Sequence, residues 1–177
     1  MCKLANTFLI LVSVLIFSSG CQTTAKHSNV NCDDPFKGWE FESPCLKTDA
    51  AWYHYEAATR HKIIESQYVM GVRFEYGGGV KQNYKSAFAF YKLAAEQGHT
   101  GAQNKLGVLY FDGKGIQKSN VKSYMWMTVA QKNLWNIKLD RRVKKNKERI
   151  IPQIKPVEIS EGTKLADECI KKNYVGC

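Results

Sequence analysis

The apolar positions divide this chain into two regimes. Phe8 to Phe17 form an apolar run broken only by Ser13, preceded by Lys3 and followed by Ser18-Ser19-Gly20. A cation, a short apolar stretch and small residues are the layout of a signal peptide, and the run is too short to span a bilayer stably. Farther on, Ser66, Met70, Gly71 and Phe74 fall at i, i+4, i+5 and i+8, so they share one face of a helix. The same arrangement returns at a constant offset of 36, which carries Gly71 onto Gly107. Gln67 corresponds to Gln103, Met70 to Leu106, Phe74 to Tyr110, and Gly77 and Gly79 to Gly113 and Gly115. The correspondence runs on through Asn83 and Ser119, Phe88 and Tyr124, Phe90 and Trp126, and Ala94 and Ala130. A fixed period of this size marks stacked supersecondary units.

The chemistry within one unit explains the pattern. A glycine inside a helix costs roughly 1 kcal/mol against alanine, so recurrence at Gly71 and Gly107 points to a second helix packed too closely for a side chain. Gly77-Gly78-Gly79 end the first helix, and Asn83 and Ser119 are suited to cap the second. Ala87, Phe88, Tyr91, Ala94 and Ala95 form the buried stripe of that second helix, and Gly98 ends it. Each unit is therefore a helix, a glycine turn and an antiparallel helix.

These residues resemble the Sel-one-like repeat family, short α/α relatives of tetratricopeptide repeats. The resemblance is carried by Ala94-Ala95-Glu96-Gln97-Gly98-His99, Ala102-Gln103, Leu106-Gly107, Tyr110 and Gly113-x-Gly115. It covers about residues 66–137. It implies an all-α fold: a short right-handed α/α solenoid of two helix-pair repeats with N- and C-terminal capping helices. After Ala130 the sequence Gln131-Lys132-Asn133-Leu134 departs from the pattern, so the array is expected to end there. A helix over about 49–61 is expected to cap the first unit. The stretch 154–169, with Pro156 in its first turn and Leu165 and Ala166 facing the repeats, is expected to close the other end. The expected organisation is a signal peptide over 1–20, a tether over 21–47, a capping helix over 48–65, repeats over 66–137 and capping helices over 138–177.

Cys21 directly follows Ser19-Gly20 and resembles the lipobox of bacterial lipoproteins, whose cysteine carries lipid. Ser18 stands where that family usually has leucine, and Gln22 in place of aspartate implies the outer membrane, facing the periplasm. Cleavage before Cys21 removes Lys3 from a chain of net charge +10 and leaves +9. Such a balance favours anionic partners, and export argues against nucleic acid. With Cys2 lost and Cys21 lipidated, Cys32, Cys45, Cys169 and Cys177 remain. An even count in an oxidising compartment suggests two disulfides, with three connectivities open. The local pairs Cys32–Cys45 and Cys169–Cys177 close the shortest loops. A zinc site is the weaker alternative, since no CxxC pair occurs.

No constellation for catalysis emerges, and no metal or other cofactor is expected. Ser119-Asn120-Val121-Lys122 reads SxxK, the spacing of β-lactam enzymes, and some relatives bind such compounds. Here Ser119 occupies the N-cap position, and no Lys-Thr-Gly or Ser-Asp-Asn accompanies it. His61 and Glu65 stand one turn apart without a second histidine. Trp126 matches Phe90 and reads as core, whereas Trp135 lies beyond the pattern. The expected activity is binding of another protein, with no small-molecule substrate. Arg73, Tyr76, Lys105, Leu109 and Asp112 are the candidate contacts, on the first helices of the units and off the repeated apolar face. The basic stretch Arg141 to Arg149 reads as a solvated capping helix or a patch for an acidic partner or anionic lipid. Some lipid-anchored members of the family are immunity proteins that neutralise type VI secreted phospholipases, and this chain is similar in size, anchor and array length. The alternatives are an envelope adaptor for flagellar or secretion machinery and, last, a cell-wall or β-lactam hydrolase.

Overall fold

The computed structural model describes Leu46, residues 48–133 and residues 137–177, with side chains from 141 onward in the last segment. Seven α-helices follow one another in the described residues: α1 (Asp49–Thr59), α2 (Ile64–Tyr76), α3 (Tyr84–Glu96), α4 (Thr100–Asp112), α5 (Asn120–Lys132), α6 (Ile137–Ile150) and α7 (Pro156–Lys171). A single 3-10 turn, Ile151–Gln153, joins the last two. From α1 to α6 each helix packs on the next, and α7 returns to lie on α5. The proposed sites at Cys21, Cys32, Cys45 and Trp135 lie outside the described residues.

The caps expected from sequence are in place. Asn83 Oδ1 accepts from the Lys85 and Ser86 amides at the start of α3, and Ser119 Oγ accepts from the Lys122 amide at the start of α5. α2 and α4 both end on left-handed glycines, Gly77 at φ 78° and Gly113 at φ 69°, a conformation glycine adopts without a Cβ penalty. The repeated helix glycines mark close approaches. A Cβ on Gly71 would stand 2.4 Å from the Tyr91 ring, and one on Gly107 would stand 2.6 Å from Met127 Cγ.

Buried glutamines join each unit to the one before. Gln67 Nε2 donates to the Ala58 carbonyl at the end of α1, and Gln103 Nε2 donates to the Ala95 carbonyl at the end of α3. Each supplies one of the donors that the last turn of a helix lacks. Gln97 Nε2 in turn donates to Gln67 Oε1 at 2.6 Å. One period later Asn133 Nδ2 reaches Gln103 Oε1 at 3.4 Å and the Gly98 carbonyl at 2.7 Å. The sequence pattern breaks before Asn133, yet the bonding pattern continues through it.

The stack also continues past the recognisable repeats. α6 lies beside α4 and α5, burying Val143 and Ile150, two helical turns apart. α7 approaches α5 through Gly162, where a Cβ would stand 2.9 Å from the Val121 carbonyl. Leu165 and Ala166 pack into the main core, as the sequence indicated. The core runs through all units, with Trp126, Tyr91, Phe74 and Phe90 fully buried and the Phe74 and Phe90 rings stacked at 5.6 Å. At the amino-terminal end, Leu46 pairs with Val80 in an isolated antiparallel bridge, and Thr48 caps α1. At the other end Cys169 and Cys177 form a disulfide, and Tyr174 lies against Gly98.

Candidate functional site

α2, α4 and α6 form one face, and a cleft of about 390 Å³ opens along it. Tyr68, Glu75 and Tyr76 come from α2, Asn104, Lys105 and Val108 from α4, and Arg142, Lys145 and Asn146 from α6. Asn146 Nδ2 donates to Asn104 Oδ1 at 3.1 Å, which ties α6 to α4 where the cleft is lined. Arg142 lies one turn before Asn146, so this bond sets the α6 wall in place.

The floor is a closed polar network. Lys105 Nζ lies 2.8 Å from Glu75 Oε2 and donates to the Tyr76 hydroxyl at 2.9 Å. The buried Tyr91 hydroxyl donates to Glu75 from below at 2.5 Å. Burial opposes the Lys105 ammonium, but its bonds to Glu75 and Tyr76 outweigh this and hold it above the usual lysine range. Burial, together with the Glu75 carboxylate, drives the Tyr91 phenol far above its usual value, so it stays neutral. Beside the cleft, His99 Nδ1 accepts from the Ala102 amide and caps α4, which leaves its Nε2–H to donate to Glu65. The ring stacks on Tyr68 at 4.4 Å.

Of the five contacts expected from sequence, only Tyr76 and Lys105 line this cleft. Tyr76 is 67% exposed. Leu109 is a correction: at 1% exposure it belongs to the core, because α4 is packed on more than the repeated face, by α3 on one side and α5 on the other. Arg73 holds the glycine turn, donating from Nη1 to the Gly78 carbonyl with its Nε enclosed. Asp112 pairs with Lys114 at 3.7 Å and with Arg149 of α6 at 3.9 Å. The residues missed were Tyr68, Glu75, Asn104, Val108 and Asn146. Arg142 and Lys145 were legible as cations in the basic stretch, but only the position of α6 brings them to the same face as Tyr76.

The SxxK residues stand at the start of α5, where both line an open cavity beside Tyr110. Ser119 Oγ accepts the Lys122 amide, and the Lys122 ammonium lies 5.6 Å from the Tyr110 ring centre. The rest of the basic helix divides by face. Lys147 donates to Gln131 Oε1 at 2.7 Å, and burial together with Lys132 lowers its pKa. Arg141, Lys144 and Glu148 are exposed.

Comparison with known proteins agrees with this geometry. Residues 64–99 and 100–130 match the Sel1 repeat. Among solved structures, the fold is similar to that of a protective antigen present in uropathogenic Escherichia coli strains displaying an SLR fold, with a TM-score of 0.61 and 23% identity. The match covers 71% of this chain and 27% of that one, so this chain spans about a quarter of its length. The first matched unit begins at Ile64, the first residue of α2, and the second at Thr100, the first of α4. Residues 64–130 thus carry two Sel1 repeats, which correspond to the helix pairs α2–α3 and α4–α5.

Proposed function

We propose that this is a non-enzymatic lipoprotein of the outer membrane, facing the periplasm, that binds another protein through the α2–α4–α6 face. The observation that carries the reading is the cleft itself, where an exposed tyrosine and two cations sit on the helices that open to one side of the stack. Tyrosine and arginine are the residue types that most often dominate binding energy at protein interfaces. The lipid anchor rests on Ser19-Gly20-Cys21 after the apolar run. The absence of catalysis is proposed because Ser119 serves as the N-cap of α5 and Lys122 stands over the Tyr110 ring.

The finer reading is an immunity protein that neutralises a secreted phospholipase, supported by the likeness in size, anchor and short array. Two experiments test the proposal. Cys21→Ser should block incorporation of labelled fatty acid and release the protein from membranes; wild-type protein that takes up no label removes the anchor. Partner capture from envelope extracts should succeed with the wild type and weaken with Tyr76→Ala. Equal capture by both places the binding surface elsewhere. For the immunity role, the chain should protect cells that express a lipase encoded beside it, and lack of protection rejects that role.

A further inference from the structure

The charges of the cleft are unequal. Glu75 is satisfied by Lys105 and Tyr91, whereas Arg142 and Lys145 have no ion-pair partner among the described residues. The lining therefore keeps two uncompensated positive charges beside Tyr68, Tyr76 and Val108. Resting on the protein-binding reading above, we propose that the cleft takes an extended acidic segment of the partner: a carboxylate on Arg142 and Lys145, and an adjoining apolar or aromatic side chain against Tyr68, Tyr76 and Val108.

Charge complementarity selects this occupant. Arginine binds a planar carboxylate through two parallel N–H donors, and the Asn146–Asn104 bond already anchors the helix that carries Arg142. The tyrosines supply stiff contact area at low entropic cost. A bilayer presents its phosphates in a plane, whereas these cations share a cleft with aromatic and aliphatic side chains and with the Glu75 carboxylate, which disfavours a densely charged headgroup. Lys105 is not offered as a contact, because its charge is spent on Glu75.

The test uses the full chain and three probes: a short Glu-rich peptide with one phenylalanine, the same peptide with Gln for Glu, and phosphatidylglycerol vesicles. The acidic peptide should bind, weaken with added salt, and bind about tenfold more weakly when Arg142→Glu is combined with Lys145→Glu, the loss expected of two exposed pairs. The Gln peptide should bind at the weak level throughout. Both residues are exposed, so circular dichroism should show an intact fold, with Arg142→Gln and Lys145→Gln as a milder pair. Equal binding of the two peptides, or no effect of the charge reversal, overturns the proposal. So does Arg142- and Lys145-dependent vesicle binding without peptide binding. If both peptides bind alike and Tyr76→Ala abolishes both, the acidic preference fails while the protein-binding reading stands.

Discussion

Lys105 and Glu75, 30 residues apart in sequence, form a partly buried ion pair that joins the first helices of two successive repeats. Lys105 is therefore not the free surface cation that the sequence suggested. Lys105→Glu sets two carboxylates together above the Tyr91 hydroxyl, and the domain should lose about 2 kcal/mol, somewhat less than the ~3–5 kcal/mol of a fully buried pair. Urea denaturation measures this; a loss below about 0.5 kcal/mol, the range of ordinary surface changes, contradicts it.

The same pair gives a pH signature. Because the folded Lys105 pKa lies above 10.5, the stability it confers is complete below that value and is lost as pH rises through the folded pKa. Wild-type stability should fall above about pH 10.5 by more than that of Lys105→Met. Parallel denaturation curves for the two at high pH would remove the pair from the account.

The two repeated glycines should differ in tolerance. A Cβ at Gly71 meets the fully buried Tyr91 ring, while one at Gly107 meets the flexible Met127 side chain, with the Ser123 carbonyl at 3.1 Å. Overpacking costs about 1–3 kcal/mol, and gaining alanine in a helix returns roughly 1 kcal/mol. Gly71→Ala should therefore lower the melting temperature clearly, and Gly107→Ala by much less. The opposite order would mean that Tyr91 moves more readily than its burial indicates.

Asn133 should behave as Gln97 does. Each donates to the repeat glutamine of its unit, and each alanine variant should cost about 1 kcal/mol, the usual net value of such a bond. A neutral Asn133→Ala would show that the second unit is closed by other contacts.

The Cys169–Cys177 bridge closes a loop of sequence separation 8. Its removal by paired serine substitutions should cost roughly 2–3 kcal/mol by the chain-entropy relation for so short a loop. Mass spectrometry of non-reduced digests should recover the linked peptide from periplasmic protein, and free thiols at both positions would count against it.

Sequence made most of the fold legible, because caps, glycines and apolar stripes act within a few residues of one another. Asn83, Ser119 and Gly77 announced their roles by type and position. The helices α6 and α7 were harder to place, since α6 packs through Val143 and Ile150 without repeat residues. The site was less readable still. Periodicity separates one buried face from the rest, but α4 is flanked by both α3 and α5, which buries Leu109 as well. Nor does spacing within a helix reveal that Lys105 meets Glu75, or that Arg142 faces the same cleft as Tyr76, because those meetings depend on how the helices stack.

Tyr174 follows α7 yet touches Gly98, where the first repeat meets the second. A solenoid whose units meet only their neighbours flexes like a spring, each joint adding its own give. A strut that skips a joint removes that compliance on its side of the stack. Here the strut is itself pinned by the Cys177 crosslink. Opening the joint between the two repeats would therefore have to part Tyr174 from Gly98, so this joint resists bending more than its helix contacts alone would allow.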